Sequence, residues 1–241
     1  MLQPVSRRDN FIWLLGGLVF LLFSGALLAQ YGVPGGQRLI NISISVALLV
    51  AVWSMEQQRD HWLRSRIGLS LVVAALMIGD VFLKDARLTL VQLGFIFVFL
   101  NLTTYLACRQ VLFSGNVDGN KIIGAICIYL MMALGWAFGY LLIEELYPGS
   151  LSGLDHSDWH DNLQDVIYFS FVTLTTLGYG DISAVLPLAR FISYMEAITG
   201  QFYIAILVAS LIGIRLSNVQ VQQNTNQSQL KRRAEDVESG V

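Results

Sequence analysis

The chain has 241 residues, 55% hydrophobic and only 13% charged, with a net charge of −2 and a mean hydropathy of +0.60. Soluble domains usually carry about twice that share of charge, so the composition excludes an ordinary soluble domain and points to an integral membrane protein with no reason to expect a nucleic-acid partner. Cys108 and Cys127 are the only cysteines, too few for a disulfide framework or a zinc site, and are expected to be free thiols.

A transmembrane helix needs about 20 predominantly apolar residues. Stretches 11–30, 39–55, 67–83, 88–107, 122–146 and 191–216 qualify. Arg7 and Arg8 before the first stretch mimic a signal peptide, but the run is too long for a signal core and lacks a convincing cleavage site. It is read as the first span. Between the fifth and sixth stretches lies a gap of about 45 residues, in which 166–174 is apolar yet too short to span. Non-helical backbone at membrane depth is tolerated only where protein buries it or it lines a watery cavity. A re-entrant helix followed by a return loop satisfies both conditions.

Basic residues set the orientation. With six spans and the N-terminus inside, Arg7, Arg8, Arg59, Arg64, Arg66, Arg109, Lys121, Arg215, Lys231, Arg232 and Arg233 lie on the inner side. Only Arg38, Lys84, Arg87 and Arg190 lie outside. Both termini are therefore expected in the cytoplasm, with the re-entrant loop entering from outside. Its upstream arm carries Glu144, Glu145, Asp155, Asp158 and Asp161, an acidic turret that raises the local cation concentration. His156 and His160, four apart among these acids, are a weaker candidate for a divalent-metal site.

A voltage sensor needs Arg or Lys at about every third position of one span. The stretch 88–107 has none, with Arg87 and Arg109 just outside it. Asp80, one turn from Lys84, reads as its structural partner ahead of a functional site. Asn41, Asn101, Thr103 and Thr104 are candidates for interhelical hydrogen bonds, and Gly135 and Gly139 give a small-xxx-small spacing. The tail 217–241 is polar and too short for a folded ligand-binding domain. Neither paired acids in a pocket, nor a nucleophile elbow, nor a Walker loop is present, so no enzyme activity is expected.

The gap contains Thr175, Thr176, Leu177, Gly178, Tyr179, Gly180 and Asp181 in succession. Two glycines flanking one tyrosine allow alternate residues backbone angles closed to ordinary side chains. Such a segment turns its carbonyls toward one line, as a dehydrated cation requires. One chain supplies one carbonyl to each ring, so several chains must meet around an axis; with one loop per chain, a homotetramer is the natural count. Asp161 or Asn162 is expected to cap the preceding helix, whose negative dipole end then favours a cation near the membrane centre.

These residues resemble the selectivity filter of tetrameric potassium channels. The family pattern Thr-Val-Gly-Tyr-Gly-Asp is matched by Thr176, Leu177, Gly178, Tyr179, Gly180 and Asp181, and Thr175, Ser170 and Thr173 fit the preceding helix. The resemblance implies potassium sites at the carbonyls of Thr176, Leu177, Gly178 and Tyr179 with the Thr176 hydroxyl, Asp181 at the outer mouth, and a gating hinge at Gly200. Departures are Leu177 for the usual Val or Ile, Tyr168-Phe169 for an aromatic pair with indole donors, and Val172 for a glutamate partner of the mouth aspartate.

The expected protein is an all-α, multi-pass protein of the cell membrane. It comprises a cytoplasmic N-terminus at 1–10, a four-helix domain at 11–107, a linker at 108–121, a pore domain at 122–216 and the tail at 217–241. The pore domain divides into outer helix 122–146, turret 147–161, pore helix 162–175, filter 176–181 and inner helix 190–216. The expected function is passive, potassium-selective conduction by a homotetramer in contact with lipid. No cofactor and no small-molecule substrate are expected, and potassium is the permeant ion. A weakly selective cation channel, or a multi-span transporter or scaffold with an incidental loop, is the alternative.

Overall fold

The computed structural model describes residues 10–31, 68, 86–112, 119–154 and 159–210. The expected spans 39–55 and 67–83, the tail 217–241, and Asn41, Asp80 and His156 lie outside the described residues, apart from residue 68. Helix α1 is Asn10–Tyr31, α2 Ala86–Leu112, α3 Gly119–Leu146 and α4 Trp159–Leu174. Helix α5 is described over Pro187–Ser210. Two-residue strands β1 (Leu151–Ser152) and β2 (Ser183–Ala184) pair antiparallel, Leu151 opposite Ala184 and Ser152 opposite Ser183.

Among the described residues, α1, α2, α3 and α5 are long and apolar enough to cross a membrane. Helix α4, at 16 residues, is shorter than the roughly 20 that a span needs. It starts at Trp159, three residues before the expected 162, because Trp159 and His160 are buried and stacked on each other, with ring centroids 3.8 Å apart. Asp161 therefore sits inside the first turn instead of capping it. Helix α5 likewise starts at Pro187, ahead of the expected 190, as suits a proline in a first helical turn. Helix α2 is longer than its apolar stretch and takes in Arg87 at its start and Arg109 in its last turn.

Helix α3 is the centre of the bundle. In lipid, apolar side chains gain little by leaving solvent, so helices associate through close packing. Glycines supply it. A Cβ at Gly139 would lie 3.2 Å from Phe97, and one at Gly135 would lie 3.5 Å from Asn101, so the small-xxx-small pair faces α2. A Cβ at Gly124 would lie 2.9 Å from Val111 and 3.2 Å from Phe11, where α1, α2 and α3 converge. Cys127 and Cys108 are free thiols, the former donating to the Phe11 carbonyl at 3.5 Å. Asn101 and Thr104 depart from the interhelical expectation: they donate to Phe97 and Leu100 of their own helix, at 2.9 and 2.7 Å. Both reach the carbonyl four residues back, the nearest acceptor on a helix.

Candidate functional site: the loop after α4

The loop is held by the end of the short helix before it. Thr175 N–H donates to Phe171 O at 3.0 Å, and Thr176 N–H to Thr173 O at 2.9 Å. Leu177 N–H and Gly178 N–H both reach back to Val172 O, at 2.9 and 3.3 Å. No peptide here is cis, so each carbonyl points opposite the N–H of its own peptide plane. The carbonyls of Thr175, Thr176 and Leu177 are thereby turned away from α4.

Backbone angles continue the pattern. Thr176, Gly178 and Gly180 have φ of 59°, 59° and 82°, whereas Leu177 and Tyr179 between them do not take positive φ. Alternation of handedness sends successive N–H groups to one side of the ribbon and so the carbonyls to the other. The glycines accept this freely. Thr176 does not: a β-branched residue in the left-handed region is a strained outlier, of the kind that clusters at functional sites. Residues 176–181 are all uncovered in the single chain, Leu177 at 55% and Tyr179 at 69% exposure. A row of carbonyls facing away from its own chain suits coordination of a cation together with other copies of the loop.

Neighbouring elements fix this ribbon. At its lower end Gln201 of α5 donates to the Thr176 hydroxyl at 3.3 Å. A Cβ at Gly200 would lie 2.3 Å from the carbonyl oxygen of Leu174, so glycine there lets α5 pass across the end of α4. At the upper end the Tyr168 hydroxyl donates to the Asp181 carboxylate. Asp181 thus gains a phenolic partner where the sequence showed neither an indole nor a glutamate. On the far side of Asp181, a Cβ at Gly153 would lie 2.4 Å from Asp181 O, and the β1–β2 pair ties the segment before α4 to the segment after the ribbon. Glu144, expected as a turret charge, accepts from Gly149 N–H and Leu151 N–H at 2.6 and 2.9 Å and shapes that turn.

The Tyr168–Asp181 bond has a pH signature. The Tyr168 hydroxyl is the main cause that holds the Asp181 carboxyl below its ordinary range. A depressed carboxyl contributes stability above its unfolded value and loses it as pH falls through the folded value. Tyr168→Phe is expected to move the Asp181 titration upward toward the ordinary carboxylate range, read by NMR of aspartate-labelled protein.

Behind α4, a polar knot joins three helices. Tyr140 of α3 donates to Glu196 Oε2 of α5 at 2.7 Å, and Ser170 of α4 lies 2.5 Å from Glu196 Oε1 and 2.7 Å from Ala133 O. Tyr203 of α5 donates to Ala125 O of α3 at 2.7 Å and stacks on Tyr129. Sequence reasoning passed over Glu196 and Gln201. An acid inside an apolar span was the available signal for Glu196; nothing in the sequence marks Gln201. His160 is buried against Trp159, and among the described residues no group of three His, Cys, Asp or Glu could hold a metal.

With this geometry in place, similarity to known proteins is informative. Residues 125–216 match a family model described as an ion channel. They run from α3 through the loop to α5 and beyond. The match supports an ion-channel family for this region and a membrane protein, the coarser part of what the sequence suggested. Over 87 residues, 35% of this chain, the protein is 30% identical to the protein LctB of Bacillus caldotenax. The match spans 64% of that relative's length, just under two thirds. No solved structure matches the chain.

Proposed function

We propose that the protein is a potassium-selective channel, a homotetramer of six-span subunits whose pore is built from residues 122–216. The observation that carries this reading is the left-handed backbone at Thr176, Gly178 and Gly180, set directly after a helix too short to span. Four such loops around one axis stack rings of carbonyls from Thr176, Leu177, Gly178 and Tyr179, with the Thr176 hydroxyl below. A dehydrated potassium ion finds oxygen dipoles there in place of its shell, repeated so that it can leave. Asp181 stands at the outer mouth, and ions move down their electrochemical gradient without chemistry or cofactor.

Helix α4 is the re-entrant pore helix in this reading, α3 the outer helix and α5 the inner helix, with both termini cytoplasmic. Gly200 is the proposed hinge of the gate as well as a packing contact. Purified protein in liposomes is expected to pass potassium and to have the mass of four chains. A monomer that passes none favours a transporter or scaffold instead.

Gating by voltage is not part of the proposal. Arg87 and Arg109 lie at the two ends of α2 with no basic residue between them, so little charge crosses the field. Arg87→Gln and Arg109→Gln are expected to leave the voltage dependence of opening unchanged in patch recordings. A large shift of the activation midpoint contradicts this.

A further inference from the structure

Glu196 is fully buried in α5, within a segment apolar enough to cross a membrane. Among the described residues, the titratable groups facing its carboxyl are Tyr140 and Tyr129, both of α3. Helix α4 presents Ser170, and among the described residues no lysine, arginine or histidine pairs with the carboxyl.

A count of protons decides its state. A contact of 2.5–2.7 Å between two oxygens needs a hydrogen between them, because two bare lone pairs repel at that distance. Such contacts join Tyr140 to Oε2, Ser170 to Oε1, and Ser170 to Ala133 O. Tyr140 supplies one proton and Ser170 supplies one. The Ala133 carbonyl has none, so the remaining proton belongs to the carboxyl. The complete chain runs from Tyr140 O–H to Oε2, from Oε1–H to Ser170 Oγ, and from Ser170 O–H to Ala133 O. An ionised carboxylate leaves one contact without a hydrogen and a buried charge without a counter-charge, which is the costlier arrangement.

We propose that Glu196 is held as the neutral acid and, in that form, is a positioning residue that clamps α4 to α3 and α5. Ionisation removes the donor to Ser170, so α4, whose last turn carries the loop, loses one of its fixings. Conduction then declines as pH rises. Only this last consequence rests on the channel reading.

Infrared difference spectroscopy of the full chain in lipid tests the proposal. At neutral pH the expected result is a protonated-carboxyl stretch that shifts in D2O, disappears in Glu196→Gln, and moves to higher frequency in Tyr140→Phe, which loses one hydrogen bond. Glu196 bands of the carboxylate kind alone overturn it. Should Glu196→Gln fail to assemble, the Tyr140→Phe shift carries the test. In liposomes Glu196→Gln, which reproduces the donor and acceptor of the acid, is expected to keep potassium flux within about twofold and to lose its decline at high pH. Glu196→Ala is expected to lose flux at least tenfold. A Glu196→Gln protein that assembles yet is as inactive as Glu196→Ala contradicts the neutral acid. The infrared band is read whether or not the protein conducts. A protonated Glu196 in a protein that passes no potassium therefore rejects the channel reading and leaves this proposal standing.

Discussion

Gly178→Ala is expected to abolish the preference for potassium over sodium while leaving expression and assembly intact. Gly178 has φ of +59°, where an L side chain costs roughly 1–2 kcal/mol. Among the described residues, and apart from its two neighbours in sequence, no atom lies within 4 Å of an added Cβ, so within one chain the substitution acts chiefly through backbone geometry. Relief of the strain rotates the peptide planes on either side, and with them the carbonyls of Leu177 and Gly178. In the proposed homotetramer every copy carries the same defect, so each proposed ring of carbonyls loses its geometry at once. Reversal potentials of the variant under potassium and sodium gradients measure the effect, and an unchanged potassium preference counts against the ribbon as the filter.

The second large effect is expected at Gly200, where two roles predict opposite signs of stability. If Gly200 served bending alone, Gly200→Ala in a helix interior would stabilise by roughly 0.5–1 kcal/mol. The structure points the other way. A Cβ there would lie 2.3 Å from Leu174 O and 2.9 Å from Leu174 Cδ1, and a backbone oxygen cannot swing aside as a side chain can. Overpacking of this kind costs typically 1–3 kcal/mol. Leu174 is the last residue of α4, two before Thr176, so the displacement passes straight into the loop. Gly200→Ala is therefore expected to lower the melting temperature and to reduce potassium flux at least tenfold. A raised melting temperature with altered open probability restores the hinge as the main role.

What could be read from the sequence was whatever depends on local pattern. Apolar stretches mark α1, α2, α3 and α5 because each is a continuous run long enough to span, and the two glycines around Tyr179 announce unusual backbone. The start of α4 was missed because buried Trp159 and His160 extend it by packing, which no capping signal records. Contacts distant in sequence were invisible. Tyr168 and Asp181, Gln201 and Thr176, and Tyr140, Ser170 and Glu196 meet only once the helices are assembled. The same holds for α1. A Cβ at Gly25 would lie 2.2 Å from Gln164 of α4, so the first span packs on the helix that bears the loop. No motif marks that contact, since close packing between two helices leaves a small residue and little else.

That contact places α1 against α4, the helix that carries the loop. Helix α1 touches α4 through Gly25 and Gln164, and α3 through Phe11 and Cys127. Helix α4 is thus held on three sides, by α1, α3 and α5, with Leu174 at its C-terminal end buried and only the ribbon 176–181 after it exposed in the single chain.

The most direct test of the account is the reversal potential of purified protein in a planar bilayer with potassium on one side and sodium on the other. A potassium-selective pore gives a reversal potential close to that of a membrane permeable to potassium alone, and this is the expected result. A value near zero, with the two cations nearly equally permeant, contradicts it.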